Sequence, residues 1–285
     1  MPGARLDRKP DHRAEGESRV FDPFTVRNMN DHKVYFIGAG PGCPDLLTLQ
    51  GSRLLAGCRV AYVPTPFEET FAEHLAGKEL RIPFSYRFEQ LIEQIGEELK
   101  NSDVAFLVPG DLTFYSPFQP LVDALGSKAL VVPGVGTANV ASAFLQKTLD
   151  LPDVSSRTVL VSPRTLGDDG AVAIRELAAP GVTLMIYMNN IPLPQLVDDL
   201  LSGYGSNVPI ALLHRLCLPG QEIVTGRLDD IVEKVGGRDF FNLEGEDKRP
   251  ALTLVIVGET LAAATNGEWW NYRHENLWKK RESAE

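Results

Sequence analysis

The sequence Val34-Tyr-Phe-Ile-Gly-Ala-Gly-Pro-Gly-Cys-Pro-Asp-Leu-Leu-Thr-Leu49 carries the strongest structural signal in the chain. A short apolar run at residues 34–37 ends in glycines, an amphipathic stretch follows at 46–56, and a second apolar run spans 59–63. This order predicts a strand, a glycine-bearing loop, a helix and a second strand. Glycines between a strand and a helix let a ligand approach the backbone near a helix N-terminus.

The same alternation continues along the chain. Helical patterns at residues 88–100, 118–125 and 137–147 alternate with apolar runs at 104–108 and 129–132, which predicts a largely parallel sheet. Beyond a polar, proline-bearing connection at 149–153, a second α/β unit is expected, with apolar runs at 158–161, 182–188, 210–213 and 252–257 and helical patterns at 171–178 and 195–204. We therefore predict an α/β fold with an N-terminal domain (33–150) and a C-terminal domain (151–262), flanked by a flexible tail (1–32) and an aromatic-rich tail (263–285).

The amino-acid composition disfavours several classes of partner and cellular compartment. The formal net charge is −10, which disfavours a nucleic acid or an anionic membrane surface as the main partner. The chain contains no apolar stretch of the ~18 residues that a membrane span needs. Its three cysteines are unclustered, which favours a reducing compartment, most simply the cytoplasm.

Two common nucleotide-binding motifs do not fit the first glycine loop. A dinucleotide fingerprint would need a glycine where Cys43 stands and an acidic residue near Pro64 and Thr65, and a phosphate loop would need a Gly-Lys pair that is absent. Pro41 removes an N–H donor, which suits a neutral or cationic ligand better than a phosphate. A tight turn without a ligand remains open. The sequence also has no metal-ligand spacing and no nucleophile elbow, so we expect neither a metal nor a nucleophilic catalytic residue.

Two further loops end in glycines after predicted strands. Pro109-Gly110-Asp111 follows residues 104–108, and Pro133-Gly134-Val135-Gly136-Thr137 follows residues 129–132. Because ligands bind at the carboxyl ends of strands in open parallel sheets, we expect the three loops to form one site. Asp111 would either accept hydrogen bonds from a ligand or cap the next segment.

The three loops in this order resemble the tetrapyrrole methylase family, a class of two-domain α/β methyltransferases that use S-adenosylmethionine. The resemblance runs from Lys33 to Leu261 and is most specific at residues 34–51. Supporting segments are Gly110-Asp111 with Tyr115, and residues 132–135, 186–188 and 255–258. Within the family, residues 151–155 followed by 158–160 are similar to the precorrin-4 C11-methyltransferase branch, which implies cobalamin synthesis.

The resemblance implies S-adenosyl-L-methionine as cofactor, a small-molecule tetrapyrrole substrate and a homodimer. It implies nine cofactor contacts: Pro41, Gly110, Asp111, Phe114, Gly136, Thr137, Met188, Leu216 and Thr253. Since corrin precursors carry carboxylates, the candidates for substrate binding are Arg157, Arg164, His214 and Arg215. Two alternatives stay open: a methylase of this fold acting on protein, RNA or another porphyrinoid, and a non-catalytic binding relative. The aromatic C-terminal tail is expected to pack on the body or on a dimer partner.

Overall fold

The computed structural model describes residues 31–245 and 251–279, whose strands form two five-stranded sheets. The first sheet contains β1 (Val34–Gly38), β2 (Val60–Tyr62), β3 (Glu79–Arg81), β4 (Val104–Val108) and β5 (Ala129–Val132). Its order is β3-β2-β4-β1-β5, and all neighbouring strands run parallel. The parallel sheet expected from the sequence is therefore confirmed, and it includes β3, a short and largely exposed strand that the apolar pattern did not predict.

The second sheet is mixed rather than parallel. It contains β6 (Arg157–Val161), β7 (Val182–Ile186), β8 (Pro209–His214), β9 (Glu222–Arg227) and β10 (Thr253–Val257) in the order β6-β7-β10-β8-β9. Only β6 and β7 are parallel neighbours, whereas β10 runs antiparallel to both β7 and β8, and β9 antiparallel to β8. The two sheets fall on either side of residues 149–153, where the sequence predicts the domain boundary, and that boundary stays a prediction.

Helices connect and cover the strands. Their bounds are α1 (Leu49–Gly57), α2 (Phe67–Thr70), α3 (Ala72–Leu75), α4 (Phe88–Glu98), α5 (Gln119–Leu125), α6 (Thr137–Leu145), α7 (Pro163–Leu166), α8 (Gly170–Leu177), α9 (Leu193–Leu201), α10 (Ile231–Val235) and α11 (Glu268–Arg273), which continues into a π-helical turn (His274–Trp278). Helix α1 begins three residues later than predicted because Thr48 accepts a hydrogen bond from the Gly51 N–H (3.0 Å) and caps the helix. The preceding Pro44–Leu46 segment forms a 3₁₀ turn.

The three central strands of the first sheet, β1, β2 and β4, are buried on both faces, as their continuous apolar sequences require. Along β1, Val34 and Phe36 pack on the side of α4 and α5, whereas Tyr35 and Ile37 pack on the side of α1. Each face has its own apolar cluster, so β1 is fully enclosed. This enclosure fixes the position of the loop at its carboxyl end.

Helix α6 joins the two halves of the molecule. Its buried residues Val140 and Ala141 belong to a cluster with Met185, Leu213 and Ile256, which lie on strands of the second sheet. The opposite face of that sheet packs against α8, α9 and α10. Because α6 begins directly after the third glycine loop, the second sheet is held close to the carboxyl edge of the first.

The two ends of the chain differ in their contacts with the body. Apart from Asp31 and His32, the predicted N-terminal tail lies outside the described residues, and Asp31 is tied to the body by ion pairs with Lys33 and Lys128. In the C-terminal segment, Trp269, Trp270 and Tyr272 are exposed, so these three rings do not pack on the body, the first of the two alternatives expected for them. Packing on a partner remains a prediction.

No helix in residues 31–245 or 251–279 combines the length and apolarity that crossing a bilayer demands.

Candidate functional site

The three glycine loops meet at the carboxyl edge of the first sheet. The Ala39 N–H donates to the Val108 carbonyl (2.8 Å), and Gly40 and Gly110 exchange two backbone hydrogen bonds of 2.9 and 2.7 Å. Both glycines have positive φ values, +66° for Gly40 and +67° for Gly110, a conformation that glycine adopts without a steric penalty. The first and second loops are therefore joined through their main chains.

The third loop lies against the first. A Cβ built on Gly134 would lie 2.5 Å from the Cα of Gly38, and one built on Gly38 would lie 2.6 Å from the Cα of Gly134. No side chain fits between these backbones. The spacing of glycines in the sequence thus reflects close backbone approach, and the prediction that the three loops share one place is confirmed by their geometry.

The second sheet supplies the facing wall. Met188 follows β7, Leu216 follows β8 and Thr253 begins β10. These residues and the first-sheet loops line one cleft of about 230 Å³. All nine residues that the resemblance implies for the cofactor line this cleft: Pro41, Gly110, Asp111, Phe114, Gly136, Thr137, Met188, Leu216 and Thr253.

The cleft is largely apolar and contains a single charged lining residue among those described, Asp111. One of its carboxylate oxygens accepts a hydrogen bond from the Thr113 N–H (3.0 Å) within the loop, whereas the next helix begins only at Gln119, so Asp111 does not cap it. Its other oxygen faces Gly136, at 3.6 Å from the position of a Cβ there. One negative group in an apolar cleft favours a neutral or cationic ligand over a phosphate.

Two tyrosines face each other across the cleft. The rings of Tyr115, from the second loop, and Tyr187, which follows β7, have centroids 5.6 Å apart. Burial, together with the nearby Asp111 charge, raises the pKa of Tyr187 to about 12, and burial also raises the pKa of Tyr115. Both hydroxyls therefore stay protonated at neutral pH.

His214 belongs to a buried polar chain behind the cleft. Its Nδ1 lies 2.7 Å from the Thr253 hydroxyl, and that hydroxyl donates to the Phe240 carbonyl. Because the hydroxyl has one proton and gives it to the carbonyl, His214 must donate from Nδ1. Burial and then the positive charge of Arg215 lower the pKa of His214, so the ring is neutral at neutral pH. His214 thus orients Thr253 and supplies no positive charge.

The predicted substrate-binding arginines are not brought together. Arg157 pairs with Val182 at the amino ends of β6 and β7, whereas Met188 follows the carboxyl end of β7. Its guanidinium donates to the Pro180 carbonyl (3.4 Å), so the structure does not bring Arg157 to the cleft. Arg157 is a candidate because arginine suits carboxylate binding. Residue type alone does not indicate at which end of a strand the residue lies.

Arg164 and Arg215 lie nearer the cleft than Arg157 does. Arg164 is half-buried in α7, directly after the carboxyl end of β6. Arg215 follows β8, and its backbone N–H donates to the carbonyl of Leu252, a residue of the cleft wall. The Arg215 side chain donates to the Pro219 carbonyl (2.7 Å) and so braces the loop that carries Leu216.

Left-handed backbone conformations border the cleft. Positive φ values occur at Tyr115 (+55°), Met188 (+46°), Arg215 (+50°) and Cys217 (+62°). For residues with a side chain this conformation costs roughly 1–2 kcal/mol each. The surrounding packing maintains strain at four places beside one cleft, a pattern that is typical of ligand sites.

Several residues line the cleft although the sequence did not predict them as site residues. Phe67 begins α2 and reaches the cleft from a segment without any motif, and Leu218 lies two residues beyond Leu216. Tyr187 and Tyr115 could have been found, because each is next to a residue that was predicted. Phe67 carried no signal in the sequence.

Fold and cleft together define a two-sheet α/β enzyme with its ligand site between the sheets. The family model of Tetrapyrrole (Corrin/Porphyrin) Methylases matches residues 33–232, and the chain belongs to this family of methyltransferases. The precorrin-4 C(11)-methyltransferase of Pseudomonas aeruginosa is 35% identical over 259 residues, covering 87% of this chain and 99% of that protein. The cobalt-precorrin-4 C(11)-methyltransferase of Methanocaldococcus jannaschii is 29% identical, covering 81% of this chain and 89% of that protein.

Solved structures share the fold of this chain. A cobalt precorrin-4 methyltransferase, described as a cobalamin biosynthetic enzyme, superposes with a TM-score of 0.68 at 20% identity, covering 84% of this chain and 99% of that chain. The uroporphyrin-III C-methyl transferase of Thermus thermophilus, complexed with S-adenosylhomocysteine, has a TM-score of 0.59 at 26% identity, covering 80% of this chain and 98% of that chain.

Proposed function

We propose that this protein transfers a methyl group from S-adenosylmethionine to a carbon of precorrin-4 or of a closely related cobalamin precursor. The observation that carries the proposal is that all nine residues expected to contact the cofactor line one cleft, in which Asp111 is the single charged lining residue among those that the structure describes. The similarity to precorrin-4 C(11)-methyltransferases over nearly the full length of the P. aeruginosa protein supports the choice of substrate.

The chemistry of the cleft fits a sulfonium nucleoside. Met188, Leu213, Leu216 and Phe67 provide apolar contacts. The Asp111 carboxylate can accept hydrogen bonds from hydroxyls or an ammonium group, and the Thr113 N–H holds it in place. The T. thermophilus relative, solved with S-adenosylhomocysteine, supports binding of the same cofactor class.

In this mechanism the cofactor supplies an activated methyl group, and the protein supplies position. The main-chain link between Gly40 and Gly110 and the close contact of Gly38 with Gly134 fix three walls of the cleft relative to one another. Fixed orientation of two reactants can contribute ~7–11 kcal/mol to the lowering of a barrier. The Tyr187 hydroxyl, protonated throughout the neutral range, acts as a hydrogen-bond donor rather than as a base.

For the carboxylates of the tetrapyrrole, we propose Arg164 and Arg215 as the cationic partners. Both follow carboxyl ends of strands in the second sheet, whereas Arg157 lies at the amino end. The Arg215 side chain already donates from Nε to Pro219, which leaves its two terminal nitrogens for a carboxylate. We assign His214 to the support of Thr253 because its ring is neutral at neutral pH.

The direct test is incubation of the protein with S-adenosylmethionine labelled in its methyl group and a panel of substrates: precorrin-4, cobalt-precorrin-4, uroporphyrinogen III and precorrin-2. We expect one labelled methyl group to appear in a precorrin-4-type substrate, detected by mass spectrometry. Labelling of uroporphyrinogen III alone would overturn the substrate assignment. Labelling of protein or RNA alone would favour the alternative methylases, and binding without labelling of any substrate would favour a non-catalytic relative.

Cofactor placement is tested separately by Asp111→Asn. A hydrogen bond to a charged group contributes ~1.5–3 kcal/mol, so we expect roughly a tenfold to hundredfold loss of affinity for S-adenosylhomocysteine in calorimetry. Asp123→Asn is the matched control, because it removes the same charge from the exposed face of α5, outside the cleft. Equal affinities in both variants would contradict the placement of the cofactor beside Asp111.

We further propose that the enzyme works as a homodimer in the cytoplasm. The exposed Trp269, Trp270 and Tyr272 support a partner at the C-terminal segment, and none of the three cysteines forms a disulfide, which favours a reducing compartment. Homodimer formation is tested by comparing the sedimentation of the full chain with that of a chain truncated after Ala263. A monomeric full-length chain, or a truncated chain that still dimerises, would contradict the role of the aromatic segment.

A further inference from the structure

We propose that Cys43 and Cys217 form an oxidisable dithiol site that spans the two sheets beside the cleft. Cys43 belongs to the first glycine loop, after β1 of the first sheet, and Cys217 to the loop after β8 of the second sheet. The two cysteines are 174 positions apart in the chain (217 − 43) and are both free and partly exposed, whereas the third cysteine, Cys58, is buried.

Backbone packing brings the two loops into contact. A Cβ built on Gly42 would overlap the Leu218 side chain and would lie 3.4 Å from the Cys217 carbonyl oxygen. Gly42 precedes Cys43, and Leu218 follows Cys217. Each cysteine is therefore adjacent in sequence to a residue of this contact. The φ value of +138° at position 42 favours glycine there as well.

The electrostatics of Cys217 agrees with the contact between the two loops. Burial raises the pKa of the Cys217 thiol, and the Cys43 side chain raises it further. This influence is expected of a thiol in the adjoining loop. A disulfide requires the two Cα atoms to stand roughly 4.4–6.8 Å apart.

The reaction is thiol–disulfide exchange with a low-molecular-weight disulfide, such as glutathione disulfide, as the oxidant. The Cys43 thiolate attacks the small disulfide, forms a mixed disulfide and releases one small thiol. Cys217, which the raised pKa keeps protonated and less reactive at first, then loses its proton and attacks the Cys43 sulfur, which expels the second small thiol. Two protein thiols are oxidised, and one small disulfide is reduced to two thiols.

The disulfide would act on the neighbouring cleft. Pro41 on the first loop and Leu216 and Leu218 on the second all line it, so a covalent link between the loops sets the width of the cleft at this point. Two sulfur atoms in a disulfide are ~2.05 Å apart, closer than unbonded thiols can come, so the loops are drawn together. We expect about tenfold weaker cofactor binding in the oxidised protein, within the usual range for coupled sites.

The site itself is tested by peptide mapping of the full chain after treatment with glutathione disulfide. We expect a peptide linked through Cys43 and Cys217 in protein of monomer mass, and its loss on reduction with dithiothreitol. The link should persist in Cys58→Ala and be absent from Cys43→Ser and Cys217→Ser. Stable glutathione adducts without a link, a link through Cys58, or a link only between two chains would each overturn the proposal.

The effect on the cleft is tested by calorimetry with S-adenosylhomocysteine on reduced and oxidised protein. This part rests on the proposed function. We expect the tenfold loss in wild-type protein and no oxidant effect in Cys43→Ser. Equal affinities of linked and reduced wild-type protein would overturn the effect on the cleft. If reduced protein binds no S-adenosylhomocysteine, the cofactor assignment fails, whereas the peptide map still decides whether the dithiol site exists.

Discussion

Replacement of Gly134 by alanine tests the contact that holds the first and third glycine loops together. The new Cβ would lie 2.5 Å from the Cα of Gly38 and 2.6 Å from its carbonyl carbon and oxygen. These are backbone atoms at the end of the buried strand β1, so no change of rotamer can relieve the overlap. Overpacking by a methyl group costs ~1–3 kcal/mol, and we expect the upper end, about 3 kcal/mol, because the backbone must move.

The measurement is equilibrium unfolding in urea, which gives the free energy of unfolding and its dependence on denaturant. Gly96→Ala is the matched control. Gly96 lies on the exposed side of α4 with no atom within 4 Å of the position of its Cβ. Since alanine is a better helix former than glycine, this control should gain up to ~1 kcal/mol. The same change of residue is therefore expected to have opposite signs at the two positions.

The outcome also bears on the cleft. Moving the third loop away from Gly38 displaces Gly136 and Thr137, so the destabilised variant should bind S-adenosylhomocysteine more weakly than wild type, whereas Gly96→Ala should not. If Gly134→Ala unfolds within about 0.5 kcal/mol of wild type, the size of an ordinary surface substitution, the close approach of the two loops is not what holds them together.

Two further predictions concern single side chains outside the first comparison. Thr48→Ala removes the side chain that accepts the Gly51 N–H and caps α1, so the free energy of unfolding in urea should fall by ~1 kcal/mol, and an unchanged value would contradict this contact. The second concerns pH: because the pKa of His214 is lowered from 6.5 in the folded protein, the unfolded chain binds more protons below that pH. Stability due to His214 is therefore complete above pH 6.5 and declines as the pH falls towards the lowered pKa. In His214→Asn, which keeps a donor for Thr253, the fall in stability between about pH 8 and about pH 5 should be smaller than in wild type, and an equal fall in both would contradict it.

The sequence predicts the first half of the molecule well, for a physical reason. The strands at 34–37 and 104–108 are buried on both faces, so each is a continuous apolar run that ends in a glycine loop, and the edge strand at 129–132 keeps the same apolar pattern although it is partly exposed. Parallel strands place those loops at one edge, and the convergence of Gly40, Gly110 and Gly134 follows from topology alone. Strand β3, at the edge of the sheet, has two exposed residues and no such run.

The second half is less predictable, since apolar runs do not encode strand direction. Periodicity marked residues 252–257 as a strand but could not show that β10 lies antiparallel between β7 and β8. For the same reason, the sequence could not show that Arg157 lies at the end of β6 away from the cleft. Strand β9 was missed because Gly226 and exposed positions interrupt its pattern. Phe67 reaches the cleft through tertiary packing that no local pattern records.

The left-handed residues around the cleft bear on how this protein could be engineered. Glycine at Tyr115, Met188, Arg215 or Cys217 would relax the backbone, and a selection for thermal stability alone would reward such changes. Each would also delete a side chain from the ligand's surroundings. Engineering for thermal stability should therefore begin at positions without backbone strain, such as Gly96. A variant that gains stability from a change at one of the four strained positions should be tested for loss of catalytic turnover.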